Sequence, residues 1–134
     1  EQFMMASKAR HFGDKETEKL IMESADPKEQ KKLGRGVKGF NVDEWAKVAR
    51  TYVYHGNLAK FSQSEELLIL LLNTFGTTLV EASPYDKVWG IGLSEDDPRA
   101  QNRDTWLGTN WLGEVLTNVR EELLQWKLED WRYE

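Results

Sequence analysis

The chain has 134 residues, enough for one domain with a substantial core, and 40% apolar against 31% charged residues is ordinary for a globular protein. A formal charge of −5 argues against an extended nucleic-acid interface, although a few Arg and Lys can still gather around an anion. With no cysteine, disulfides, thiolate metal sites and cysteine nucleophiles are excluded, and His11 and His55 lack any HxxxH or HExxH spacing.

No apolar run approaches the roughly 18 residues of a membrane span, and no basic leader precedes an apolar stretch. These features predict a cytoplasmic chain with no membrane partner. The sequence does not open on Met and begins in what reads as a helix, so a trimmed chain is expected.

Residues 1–12 place Phe3, Met4, Ala6 and either Ala9 or Phe12 at helical spacing. Gly13 ends that helix, and Asp14 caps a second over 15–25 with Leu20, Ile21 and Ala25 turned inward. Asp26-Pro27 repeats the device and opens a short third helix stopping at Gly34. Gly34, Gly36 and Gly39 then let backbone approach a ligand, with Arg35 and Lys38 supplying charge. The run matches neither Walker A nor GxGxxG, and the plainer reading is a solvated basic connector.

Asn41 and Glu44 form a capping-box pattern ahead of a helix over 42–61. Its buried stripe holds Trp45, Val48, Ala49, Tyr52, Val53, Leu58 and Phe61, and Gly56 marks a kink or a close contact. Lys60, near the C-terminal end, reads equally as a snorkelling surface lysine. Ser62 or Ser64 caps the next helix, 65–74, whose apolar character nearly all round predicts the central core helix.

Residues 78–82 alternate as a short strand, 83–86 read as a turn and 88–93 as a second extended segment. A long polar loop, 94–109, leads to a last helix opened by Asn110, with Val115, Leu116, Val119, Leu123 and Leu124 inside. The fold class expected is α+β, a helix-rich single domain with a small β-sheet.

Several segments, taken together, resemble the NADAR superfamily and within it the YbiA-like N-glycosidases. They are Glu1-Gln2-Phe3 with Ala6-Ser7-Lys8-Ala9, then Leu33-Gly34-Arg35 with Val37-Lys38-Gly39-Phe40, Trp45 and Leu58-Ala59-Lys60-Phe61. The most specific is the unbroken run 79–93, LVEASPYDKVWGIGL, followed by Asp96-Asp97-Pro98-Arg99-Ala100, Asn110-Trp111-Leu112-Gly113 and Val119-Arg120. The resemblance covers residues 1–124, leaving 125–134 as a C-terminal extension. It also implies an N-terminal extended segment with a Ser-Asn-Phe-type motif that this sequence lacks.

The resemblance implies cleavage of a ribosyl C1′–N bond in phosphorylated ribosylaminopyrimidine intermediates of riboflavin biosynthesis. Other outcomes are an ADP-ribosyl hydrolase acting on modified guanine, or a non-catalytic ADP-ribose or NAD-binding module. The partner expected is thus a small ribosyl phosphate or ADP-ribose, with no cofactor and no metal.

Breaking such a bond passes through an oxocarbenium-like state, which calls for a carboxylate near C1′, an acid or base, cations for phosphate and an aromatic for the base. Glu1, Glu81 and Asp86 are the carboxylate candidates, with Glu81 or Asp86 polarising water. Trp89 and Tyr85 can stack on a planar base, worth ~1–3 kcal/mol, beside Gly90. Arg35, Lys38 and Lys60 are candidates for phosphate, and Asn110 for a polar contact or merely the cap of the last helix. Lys8, two turns after Glu1, can share a helix face with it, either as an ion pair or as a nucleophile toward an opened ribose aldehyde.

Overall fold

Short polar caps place the helices. In the computed structural model, which describes the backbone of residues 1–133 and the side chains of residues 1–132, α1 spans Gln2–His11, α2 Lys15–Glu23 and α3 Pro27–Arg35. Helix α4 follows at Val42–Ser62, α5 at Glu65–Leu72 and α6 at Trp111–Tyr133, with two 3-10 turns, Pro98–Gln101 and Arg103–Thr105, before α6. Asp14, Asp26 and Ser64 each accept a backbone N–H at the start of their helices, from Thr17, Lys28 and Leu67. These contacts satisfy donors that a helix leaves unpaired in its first turn. The chain divides into two compact units, Glu1–Gly56 and Asn57–Glu134.

In the first unit, α1, α2 and α3 pack on one another around Met5, Ala6, Ala9, Ile21 and Val37, with Met4, Phe12 and Leu33 against them. Burying Met5, Ile21 or Val37 contributes about 1.5–3 kcal/mol each. Gln2 fastens α1 to the end of α2: its amide donates to the carbonyls of Ile21 (3.3 Å), Met22 (3.2 Å) and Ser24 (3.2 Å). Gly34 lets α3 approach α1, since a Cβ there would run into the Met5 thioether. Gly56 is a close contact too, because a Cβ would sit 2.6 Å from the Phe3 ring. Ile21 is buried as expected, whereas Leu20 is exposed and Ala25 lies beyond the end of α2 and is exposed.

In the second unit, α5 packs on α6, and Val115, Val119 and Leu123 form the buried stripe of α6. Arg120, also buried, reaches the carbonyls after α5, donating to Thr74 (2.8 Å) and Thr77 (2.9 Å). Helix α5 is not the central core helix that its composition suggests. Leu68 and Leu71 are buried, but Ile69 is 48% and Leu70 63% exposed. An eight-residue helix packed along one side buries one stripe only, whatever occupies the others.

The expected small β-sheet is absent: among the described residues there is no strand, and the fold is helical with irregular segments. The reason lies in where the backbone groups of 78–93 find partners. The Glu81 carbonyl accepts from Ile91 N–H at 3.0 Å, but the ladder does not continue. Instead the Asn110 side chain takes Leu79 and Glu81. Residues 107–112 take the carbonyls of Lys87, Val88, Trp89, Gly90 and Ile91. A strand-like pattern folds as irregular chain when side chains and a helix start satisfy its polar groups.

Candidate functional site

The segment 81–92 is a loop tied to itself and to the start of α6. Asp86 Oδ1 accepts from the N–H groups of Val88 (3.0 Å) and Trp89 (2.8 Å), closing an Asx turn. The Asp86 carbonyl accepts from Gly92 N–H at 3.0 Å, with Gly92 in the left-handed region at φ 71°. Trp111, Leu112 and Asn110 donate their N–H groups to the carbonyls of Val88 (3.0 Å), Trp89 (3.1 Å) and Gly90 (3.0 Å). The Thr109 hydroxyl adds a bond to Val88 at 2.6 Å. The donors that α6 leaves unpaired at its N-terminus therefore hold the loop in place.

Close backbone packing makes glycine necessary at three points. A Cβ at Gly90 would fall 2.8 Å from the Glu81 and Asp86 carbonyl oxygens. One at Gly108 would meet the Gly90 carbonyl at 2.3 Å, and one at Gly113 the Leu79 carbonyl at 2.1 Å. Trp89 is half-buried and meets Trp111 edge to face at 5.5 Å. Tyr85, by contrast, is 96% exposed at the tip of the loop. Glu81 is exposed, and its side-chain stem passes beside Gly90.

Asn110 is the pivot. It is 6% exposed and adopts φ 54°, a left-handed conformation that Asn tolerates better than most residues. Its Oδ1 accepts from Glu81 N–H at 3.0 Å and its Nδ2 donates to the Leu79 carbonyl at 3.0 Å. Behind it opens a cleft of about 470 Å³ with Thr78, Arg103, Trp106 and Asn118 in its walls.

The first unit gathers a different set of groups. Lys8, half-buried on α1, points its amine at the face of Phe40, 4.3 Å from the ring centroid. Burial lowers the Lys8 pKa below the ordinary lysine value, and the positive charge of Arg35 lowers it further. Arg35 ends α3 and is exposed. Lys38 is exposed as well; its backbone N–H donates to Asp14 Oδ2 at 2.9 Å, which fixes the path of the connector. Glu1 immediately precedes α1, is exposed, and makes no side-chain capping bond.

A model of the NADAR domain matches residues 1–124. The chain belongs to the NADAR family.

Two relatives are similar over most of the chain. It is 42% identical to protein irg-1 of Caenorhabditis elegans over 125 residues, which is 92% of this chain and 59% of that protein. It is 47% identical to N-glycosidase R617 of Acanthamoeba polyphaga mimivirus over 122 residues, 91% of this chain and 72% of the relative. The chain thus spans less than two thirds of the nematode protein's length. Among solved structures, the NMR structure of the Escherichia coli protein YbiA is similar at TM-score 0.76 and 30% identity. That likeness covers 96% of this chain and 68% of YbiA's.

Within the second unit of this NADAR chain, Glu81, Asp86, Trp89, Gly90 and Asn110 come together, with Tyr85 at the exposed tip. Lys60, near the end of α4, is exposed and lies 5.4 Å from the Phe61 ring centroid. Within the first unit, Lys8 and Arg35 act on one another, and Lys38 lies on the following loop. Sequence reasoning gave no role to Phe40, Thr109 or Gly108. Phe40 carried a weak signal as an aromatic directly after the basic, glycine-rich run. Gly108 carried none, because the backbone it must accommodate is distant in sequence.

Proposed function

We propose that this chain is an N-glycosidase hydrolysing the ribosyl C1′–N bond of phosphorylated ribosylaminopyrimidine intermediates of riboflavin biosynthesis. The observation that carries the reaction class is the 47% identity to N-glycosidase R617 within a shared family. Two more relatives support the substrate class. Riboflavin biosynthesis protein PYRR of Arabidopsis thaliana is 37% identical over 82 residues, and that of Zea mays 34% over 102. The activity is assigned to residues 1–124, with 125–133 prolonging α6.

In the proposed reaction, a water oxygen bonds to C1′ as the C1′–N bond breaks and its electron pair goes to nitrogen. The proton lost by water passes to a base, and the departing nitrogen gains one. The geometry favours Glu81 over Asp86 as the carboxylate near C1′, because Asp86 Oδ1 already accepts two loop N–H groups. Trp89 is the stacking surface of the second unit. Asn110 positions Glu81 through the backbone rather than meeting substrate. In the first unit, taken by itself, Arg35 and Lys38 are cations suited to phosphate and Glu1 is a carboxylate suited to ribose hydroxyls. Lys8, its amine more readily neutral than an exposed lysine's, is suited to proton transfer or to attack on an opened ribose aldehyde.

The test is turnover by the purified protein, followed by mass spectrometry. One arm supplies the aminouracil ribosylamine phosphate and another ADP-ribosylated guanosine. Release of ribose 5-phosphate in the first arm alone is expected, with Glu81→Gln slowing it by about 10²–10⁴-fold. Release of ADP-ribose in the second arm alone would replace the substrate assignment with an ADP-ribosyl hydrolase. ADP-ribose binding without turnover in either arm would replace it with a binding module.

A further inference from the structure

An amine on four methylenes has to be held if it is to meet one atom of a substrate, since a free lysine carries about 2 kcal/mol of rotamer entropy. Around Lys8 the holding group is an aromatic face. Its Nζ lies 4.3 Å from the Phe40 ring centroid, within the range in which a ring quadrupole attracts a cation. Phe40 follows Gly39, whose φ of 78° turns the chain in a way side-chain-bearing residues seldom permit.

The ring is itself held through a chain of edge contacts. Phe40 meets Phe12 at 5.3 Å and 72°, and Phe12 meets His11 at 5.0 Å and 81°. The His11 ring is fixed at both nitrogens: Nδ1 lies 3.0 Å from the Tyr52 hydroxyl and Nε2 3.0 Å from the Glu44 carboxylate. A carboxylate only accepts, so Nε2 carries a proton, and in the neutral ring Nδ1 accepts from Tyr52. Trp45 stacks on Tyr52 at 5.8 Å and 21°, closing the cluster.

We propose that Phe40 is the positioning residue for the Lys8 amine, its ring held in turn by Phe12 and the Glu44–His11–Tyr52 lock. This rests on the reading above that Lys8 is a reactive group of the glycosidase. The physical role is twofold. The ring face restricts where the amine can lie, and its quadrupole favours the protonated form. Burial and the charge of Arg35 act in the opposite sense. Among the charged neighbours, the Arg35 guanidinium disfavours the protonated amine. Acid/base or imine chemistry at the amine requires it to be held in place in either protonation state.

The experiment compares Phe40→Leu with Phe40→Trp in the full chain and reads the titration of Lys8 by NMR, its resonance identified with Lys8→Arg. Leucine keeps the apolar bulk and removes the quadrupole; tryptophan keeps the face. The expected result is a Lys8 midpoint about half a pH unit lower in the Leu variant and no lower in the Trp variant. His11→Ala, which frees Phe12 and leaves Phe40 in place, is expected to give a smaller shift in the same direction. Equal midpoints in the Leu variant and the parent, or equal shifts in the Leu and Trp variants, would overturn the proposal.

Because the readout is a titration, its failure is separable from that of the functional reading. A Leu-specific shift in a protein without turnover keeps the positioning role and removes the glycosidase. Turnover without the shift does the reverse.

Discussion

The Asn110 amide stands between the Leu79 carbonyl and the Glu81 N–H, 3.0 Å from each, so one buried side chain replaces two backbone partners. Replacing it by alanine leaves both groups unpaired, each worth about 1–3 kcal/mol where water is excluded. Asn110→Ala is expected to lower unfolding stability by about 2–4 kcal/mol, and Asn110→Asp by less, since a carboxylate still accepts from Glu81 but cannot donate to Leu79. Denaturant titration of the two variants and the parent tests the order.

Gly113 opens the first turn of α6 directly beneath that bridge. Alanine there would put a methyl group 2.1 Å from the Leu79 carbonyl oxygen and 2.3 Å from Asn110 Nδ2. Neither neighbour can yield without breaking the bridge. Gly113→Ala should therefore lose about as much stability as Asn110→Ala, and the double variant should lose clearly less than the sum. An additive double variant in the same titration would show that the two positions act independently.

Arg120 is buried and spends its guanidinium on the chain after α5. Nη1 reaches the Thr74 carbonyl at 2.8 Å and hydroxyl at 3.1 Å, and Nη2 reaches the Thr77 carbonyl at 2.9 Å. Its Nε makes no hydrogen bond and faces the Glu121 carboxylate at 3.9 Å. Lysine cannot reproduce the fork, so Arg120→Lys and Arg120→Met are both expected to cost about 3 kcal/mol or more. Thermal unfolding checks this, and a Lys variant as stable as the parent would refute the fork.

Acid should weaken the first unit through Asp14. The Lys38 backbone N–H is the largest influence holding its carboxyl below the usual range, followed by the Thr17 hydroxyl and N–H. A carboxyl depressed on folding contributes stability that is fully present above its unfolded value of about 4 and lost as pH falls through the lower folded value. Stability curves between pH 6 and pH 2, roughly the window of that titration, should drop for the parent. They should be flatter for Asp14→Asn.

The exposed ion pairs call for no such experiment. Arg10 with Glu18 and Arg99 with Asp97 form good contacts at 2.7 and 2.8 Å, but pairs in water are worth little.

The sequence alone determined what depends on neighbours along the chain. Asp14, Asp26 and Asn41 mark helix starts because capping needs only a short polar side chain and the next three N–H groups. The buried stripe of α6 and the turn at 83–86 are local in the same way, and the run 79–93 carried the family. Tertiary structure decided the rest. Residues 78–93 have the alternation of strands, yet their carbonyls and N–H groups meet Asn110 and the start of α6, about twenty to thirty residues on, instead of one another. Leu70 has the composition of core and stands exposed, because burial is set by what packs against a helix face and not by the residue on it. The Phe40 ring over the Lys8 amine likewise joins residues far apart in sequence. No spacing rule announces a contact made only when a loop folds back on a helix.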